Sequence, residues 1–222
     1  MLFTIAVSYC FLLFIVWTIG IIRYKKLTTA FKVLTWSVLF IFILAILSYV
    51  FASKYRNNRP IIHLECITGY LFYGMTYYYL FKNVIIKKTI IISIIIITVF
   101  FIYNAIFLQP FNKVFPSNVF IPTQTLYVIF SLLLFKEMLL YPLDSNIIKQ
   151  SIFWYNTGIF FYSTTLFITL GITNYLAKQP KYDPITTYLW YFVLFAFHIL
   201  IGVSFLTDNK EITSKCPMKE YV

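Results

Sequence analysis

The sequence predicts an all-α membrane protein, a seven-transmembrane helix bundle with its N-terminus outside and its C-terminus in the cytoplasm. Three observations lead there. Of its 222 residues, 61% are hydrophobic and only 11% are charged, whereas a soluble domain carries roughly 25% charged residues. Seven apolar stretches each approach or exceed the roughly 20 residues that a helix needs to cross a hydrocarbon core of about 30 Å. The eighteen Lys and Arg residues, against seven Asp and Glu for a net charge of +11, stand in short clusters between those stretches. Bases so placed set membrane topology. The expected partner is therefore the lipid bilayer, not nucleic acid, and the expected site is the cell (inner) membrane.

The first stretch, 2–22, is uncharged and precedes its bases Arg23, Lys25 and Lys26, which reads as a retained first helix and not as a cleaved signal peptide. The second covers 33–52. The third, 61–81, starts behind Pro60, a residue tolerated at the first turn of a helix. The fourth, 89–109, contains the isoleucine-rich run from Ile90 to Ile97. Such a run favours strand in water, but in lipid every backbone group must be satisfied within the segment, so helix prevails. Membrane strands would alternate apolar and polar residues, and this stretch does not. The fifth (119–141) and sixth (152–176) are separated by a loop containing Pro142, and the seventh (185–206) follows Pro180 and Pro184. A short cytoplasmic tail, 207–222, completes the expected layout.

Orientation rests on counting bases. With the N-terminus outside, twelve of the eighteen fall on the cytoplasmic side, among them Arg23, Lys87, Lys88, Lys136 and Lys149. The loop with Lys54, Arg56 and Arg59 opposes the bias.

No enzyme is expected. The sequence has no Gly-rich phosphate loop, HExxH or GxSxG motif. Cys10, Cys66 and Cys216 lack paired spacing, so neither a disulfide framework nor a metal site is expected; no cofactor is implied either. His63 and Glu65 approach each other in sequence, but positions two apart on a helix diverge by about 200°. They do not aim at one reacting atom.

Ionisable residues at membrane depth are costly and point to function by default. Glu65 lies about 6 Å into the third span at 1.5 Å per residue, on a helical stripe with Thr68, Gly69, Phe72 and Thr76. Small residues on that stripe permit close helix contact, so it is expected to face the bundle. Asn104, Gln124, Thr173 and Asn174 fall at comparable depth on other spans and, together with Glu65 and Thr68, define a candidate ligand-binding layer open to the outside. The competing readings are a carboxylate paired with Arg56 or Arg59, and polar residues that each supply one interhelical hydrogen bond of roughly 0.6 kcal/mol. His198, about 20 Å down the seventh span, is expected to be a neutral structural histidine satisfied by Asn156 or a tyrosine. Trp154, Asn156 and Tyr162 of the sixth span form the accompanying structural polar set. Tyr70, Tyr73 and Tyr77 share one face of the third span, as core or as the lining for an apolar ligand.

Residues 185–206 contain no lysine to hold retinal, no Asp-Arg-Tyr follows the third span and no Asn-Pro interrupts the seventh. These absences argue against microbial rhodopsins and G-protein-coupled receptors. The run Phe153-Trp154-Tyr155-Asn156-Thr157-Gly158-Ile159-Phe160-Phe161-Tyr162, after a loop with Pro142, Ser145 and Asn146, resembles the aromatic-Trp, Gly and Phe-Tyr pattern in the membrane half of seven-helix sensor histidine kinases from Bacteroidota. Glu65 and the segment from Trp190 to His198 are similar in character to that family, and the resemblance covers most of the membrane region. The dimerisation helices, phosphoacceptor histidine and ATP-binding domain are missing, so no kinase activity is carried over. The resemblance implies a stand-alone, non-enzymatic sensor or regulatory module that signals through a cytoplasmic or membrane partner, and a lipid or small apolar ligand near Glu65 is the expected signal. A small transporter or channel, with Glu65 in an externally open pocket, and a structural subunit of a membrane complex are the alternatives.

Overall fold

The computed structural model describes residues 2–140, 146–176 and 185–209. Seven α-helices are described: α1 (Leu2–Ile22), α2 (Thr29–Tyr55), α3 (Arg59–Leu80), α4 (Val84–Tyr103), α5 (Ser117–Leu140), α6 (Ser151–Leu176) and α7 (Ile185–Thr207). Five of them, α1, α2, α4, α5 and α7, are long and apolar enough to cross a membrane. Their outward faces carry large apolar residues such as Phe11, Ile22, Ile92, Ile96 and Val99. A contiguous apolar exterior of this extent is incompatible with a water-facing surface. The molecule is a helical membrane protein.

Local chemistry explains where the helices start and stop. Pro60 occupies the first turn of α3, where its missing N–H costs nothing. At α4 the Asn83 side chain accepts from the backbone N–H of Ile85 and Ile86, taking up two of the donors that every helix start leaves unpaired. Arg56 closes α2 in the left-handed conformation, with φ 53°. The apolar run 89–109 does not end as one regular helix: α4 passes into a single π-helical turn, Asn104–Leu108. A π turn inserts one extra residue and re-aims the side chains around it.

The helices form a closed ring in chain order, with α1 packed on α7. Sequential neighbours run antiparallel: Gly20 of α1 abuts Thr35 of α2, Phe40 of α2 meets Phe72 of α3, and Gly158 of α6 abuts Phe197 and Leu200 of α7. The odd-numbered helices are therefore parallel, and the end at which they begin is called the upper end below.

Helix α3 is central. Tyr70 bonds to Ser93 of α4, Tyr73 packs on Phe197 of α7, Tyr77 packs on Phe130 of α5 and Tyr155 of α6, and Phe72 touches α2. Position explains composition here. The face of α3 that packs on other helices can carry tyrosines and a carboxylate that a lipid-facing surface would have to hide, while Leu64, Leu71 and Tyr79 stay exposed on its other side.

Candidate functional site

Glu65 enters the bundle on the second turn of α3. Its carboxylate is near enough to Tyr9 and Cys10 of α1, Tyr73 of its own helix, Tyr162 of α6 and Tyr191 of α7 to act on each electrostatically. The side chain thus faces the junction of α1, α3, α6 and α7. It makes no hydrogen bond or ion pair among the described residues. Arg59, one of its two expected counter-charges, instead donates from its guanidinium to the Lys113 carbonyl in the α4–α5 connection.

Among the described residues, the polar layer expected around Glu65 does not assemble as one pocket. Asn104 is fully buried, but it looks toward the α4–α5 connection, where its amide donates to Gln109 Oε1 at 3.1 Å and its oxygen accepts from Asn118 at 3.1 Å. Gln109 also donates to Ser117 at 2.8 Å. The knot and the π turn Asn104–Leu108 go together, with Asn104 held against the start of α5 through Asn118. His63 pins the same connection: its Nε2 lies 2.9 Å from the Val114 carbonyl and its ring stacks on Phe111 at 4.6 Å. His63 and Glu65 serve opposite sides of α3, as their two-residue spacing requires.

Gln124 is buried just beyond Pro122, with no hydrogen-bond partner for its Oε1 among the described residues. Thr68 is half-buried on α3. Gly69 is not a point of close helix contact, since a Cβ there would meet only Tyr73 of the same helix. Thr173 and Asn174 lie in the final part of α6, outside the described side chains.

At the upper end a groove of about 420 Å³ runs between α1 and α7, lined by Thr4, Ile5, Ser8, Tyr188, Tyr191, Phe192 and Phe195. It is open to the exterior and almost wholly apolar. Tyr191 lines this groove and also lies within electrostatic range of Glu65. Its ring meets Tyr9 edge-on at 6.3 Å. The upper α1–α7 seam thus brings an apolar surface groove within electrostatic range of one half-buried carboxylate, Glu65, by way of Tyr191 and Tyr9.

Farther down, His198 is buried, with Nδ1 2.9 Å from the Leu194 carbonyl and 3.3 Å from the Tyr9 hydroxyl. A carbonyl accepts only, so Nδ1 carries the proton and Nε2 is a bare acceptor; Nε2 has no partner among the described residues. A tyrosine does serve the imidazole, but it comes from α1. Asn156 is engaged elsewhere: it accepts from the Tyr77 hydroxyl at 3.0 Å and donates to the Ser131 carbonyl at 3.0 Å, tying α3, α5 and α6 together. Tyr162 stacks on Phe197 at 4.7 Å, and Trp154 donates from its indole to the Ile148 carbonyl at 2.8 Å, closing the loop before α6.

At the lower end a second polar centre forms around Asp208, just after α7. Its carboxylate accepts from the Thr28 backbone N–H at 2.7 Å and from the Ser151 hydroxyl at 2.9 Å, while its carbonyl accepts from Arg23 at 3.1 Å. Burial pushes the Asp208 carboxyl above its usual range, against the opposing pull of those hydrogen bonds and of the Arg23 charge. Asp208 thereby joins the α1–α2 connection, the start of α6 and the end of α7. Sequence reasoning passed over Asp208, Tyr9 and Tyr191. The missing signal for Asp208 was positional: Arg23 and Asp208 are the first charges after the first and last apolar stretches, and a parallel α1–α7 pair brings them together.

Among the described residues no group of three or more His, Cys, Asp and Glu side chains is placed to hold a metal ion. No protein-family model, curated protein or solved structure matches the chain.

Proposed function

We propose that the chain is a non-enzymatic sensor or regulatory module of the cell (inner) membrane, with seven spans, an external N-terminus and a cytoplasmic C-terminus. The observation that carries this reading is an apolar groove on the α1–α7 seam whose Tyr191 lies within electrostatic range of Glu65, a carboxylate that makes no hydrogen bond among the described residues. An amphiphile seated between α1 and α7 would lay its chain along Phe192 and Phe195 and bring a hydrogen-bonding head group to Tyr191 and Glu65. A membrane lipid or a small apolar ligand has that form.

Occupancy alters output only if the ligand binds two packing states with different affinity. The α1–α7 seam has two such handles. Its upper half holds the groove, and its lower end holds the Asp208 clamp, which also grips the α1–α2 connection and α6. A small shift of α7 against α1 would therefore be felt at the lower loops, where a partner chain would read it. The resemblance to kinase-linked sensor regions agrees with this division into an upper site and a lower reporter.

A transporter finds less support. Below Glu65 the interior is occupied by Tyr73, Tyr77, Tyr155 and Phe197, all buried and packed ring against ring.

The test is amine-directed crosslinking in native membranes, through Lys149 ahead of α6. One protein should be captured by the wild-type chain, and its yield should change at least severalfold with Glu65→Gln. Capture that ignores Glu65→Gln would favour a structural subunit. No captured protein at all would remove the sensor reading.

A further inference from the structure

We infer a second lipid site, specific for an anionic phospholipid, on the outer face of α4 at the lower end of the bundle. A groove of about 510 Å³ there is lined by Tyr78 of α3 and by Val84, Lys87, Lys88, Ile91 and Ile92. Helical geometry sorts these residues into two columns. Lys87 stands four residues before Ile91, and Lys88 four before Ile92, so each ammonium heads an apolar column about 6 Å long at 1.5 Å per residue. The arrangement has the shape of an amphiphile, with charge at the end and hydrocarbon along the helix.

Lys87 is held in place. Its ammonium lies 5.5 Å from the centroid of the Tyr78 ring, a cation–π distance, and the side chain is half-buried in the groove wall. Neither Lys87 nor Lys88 forms an ion pair among the described residues. The nearby acid, Glu137, already accepts from the Lys82 backbone N–H at 3.0 Å. Among the described residues here, Lys87 and Lys88 outnumber that one carboxylate. The α4 start contributes little of its own to an anion, because Asn83 occupies the Ile85 and Ile86 N–H groups. Recognition therefore falls to the two ammonium groups, which select a phosphodiester without a compensating cation, and to the apolar columns, which select an acyl chain over free phosphate.

The site is distinct from the α1–α7 groove, lies at the opposite end of the bundle and does not depend on the sensor reading. Its test is native mass spectrometry of the full chain in neutral detergent, titrated with phosphatidylglycerol or with phosphatidylcholine of identical chains. A lysine near an anionic lipid surface contributes a factor of about five, so the pair should favour phosphatidylglycerol by roughly 30-fold. The double variant Lys87→Gln, Lys88→Gln should erase the preference. Lys25→Gln with Lys26→Gln, in the connection after α1, should leave it intact. Equal retention of the two lipids, equal loss in the control variant, or complete displacement of phosphatidylglycerol by millimolar inorganic phosphate would each overturn the assignment.

Discussion

Asn156 and Asp208 show how far one polar side chain reaches in this interior. Asn156 completes bonds to two other helices, and in a dry setting its removal takes one partner from the Tyr77 hydroxyl, which keeps only the Ser131 hydroxyl at 2.6 Å, and the side-chain donor from the Ser131 carbonyl. Asn156→Leu should therefore destabilise the bundle by about 1–3 kcal/mol, the usual cost of leaving buried polar groups unmade, as read by thermal unfolding in micelles. Tyr77→Phe combined with it should cost less than the sum of the two single changes, since both remove the same bond. Asp208 makes a prediction in pH. Its carboxyl is raised by burial, so the folded chain holds this proton more tightly than the unfolded chain, whose value is about 3.9. Stability should fall as pH rises from about 4 through the folded value and then level off. Asp208→Asn should flatten that slope in unfolding curves measured across the same range. Of these two residues only Asn156 stood out in the sequence, because it interrupts an apolar run. Asp208 carries no such signal, because its partners Arg23, Thr28 and Ser151 come together only in the folded bundle.

At the scale of the helix, packing turns on a few close approaches. A Cβ placed on Gly20 would sit 2.8 Å from Cγ2 and 2.9 Å from Oγ1 of Thr35. Thr35 cannot easily yield, because it is β-branched and its hydroxyl donates to the Phe31 carbonyl at 2.9 Å. Gly20→Ala should thus force α1 and α2 apart and cost about 1–3 kcal/mol, the range for overpacking. Adding Thr35→Ala should recover most of that loss, as measured by the same unfolding assay. The helices themselves were legible because lipid makes apolar length decisive: the expected 2–22 is α1 residue for residue, and α2 extends the expected 33–52 by four residues at its start, to Thr29, and three at its end, to Tyr55. The π turn was not legible. It depends on Asn104 finding Gln109 and Asn118, partners that exist only once the α4–α5 connection has folded back.

For the whole molecule, the ring order of the helices determines which polar residues share a space. Asn104 and Glu65 lie at similar depth, yet α3 stands between them, and one serves a loop while the other faces α1, α6 and α7. The up-and-down ring also makes topology testable. With Cys10, Cys66 and Cys216 replaced by serine, a cysteine at Asn112 should react with an impermeant maleimide in intact cells. One at Lys26 should react only after the membrane is opened. The reverse pattern would invert the proposed orientation.

The sequence by itself determined that the chain is helical, apolar and divided into seven rods, because each of those properties follows from the local need to bury side chains and satisfy backbone in lipid. It also marked Glu65, since a charge in an apolar run is costly wherever the run goes. Only the tertiary structure decided what Glu65 meets. That depends on the rotation of each helix about its axis and on which helices are neighbours, quantities set by contacts between residues far apart in the chain, such as Tyr9 with His198 and Arg23 with Asp208.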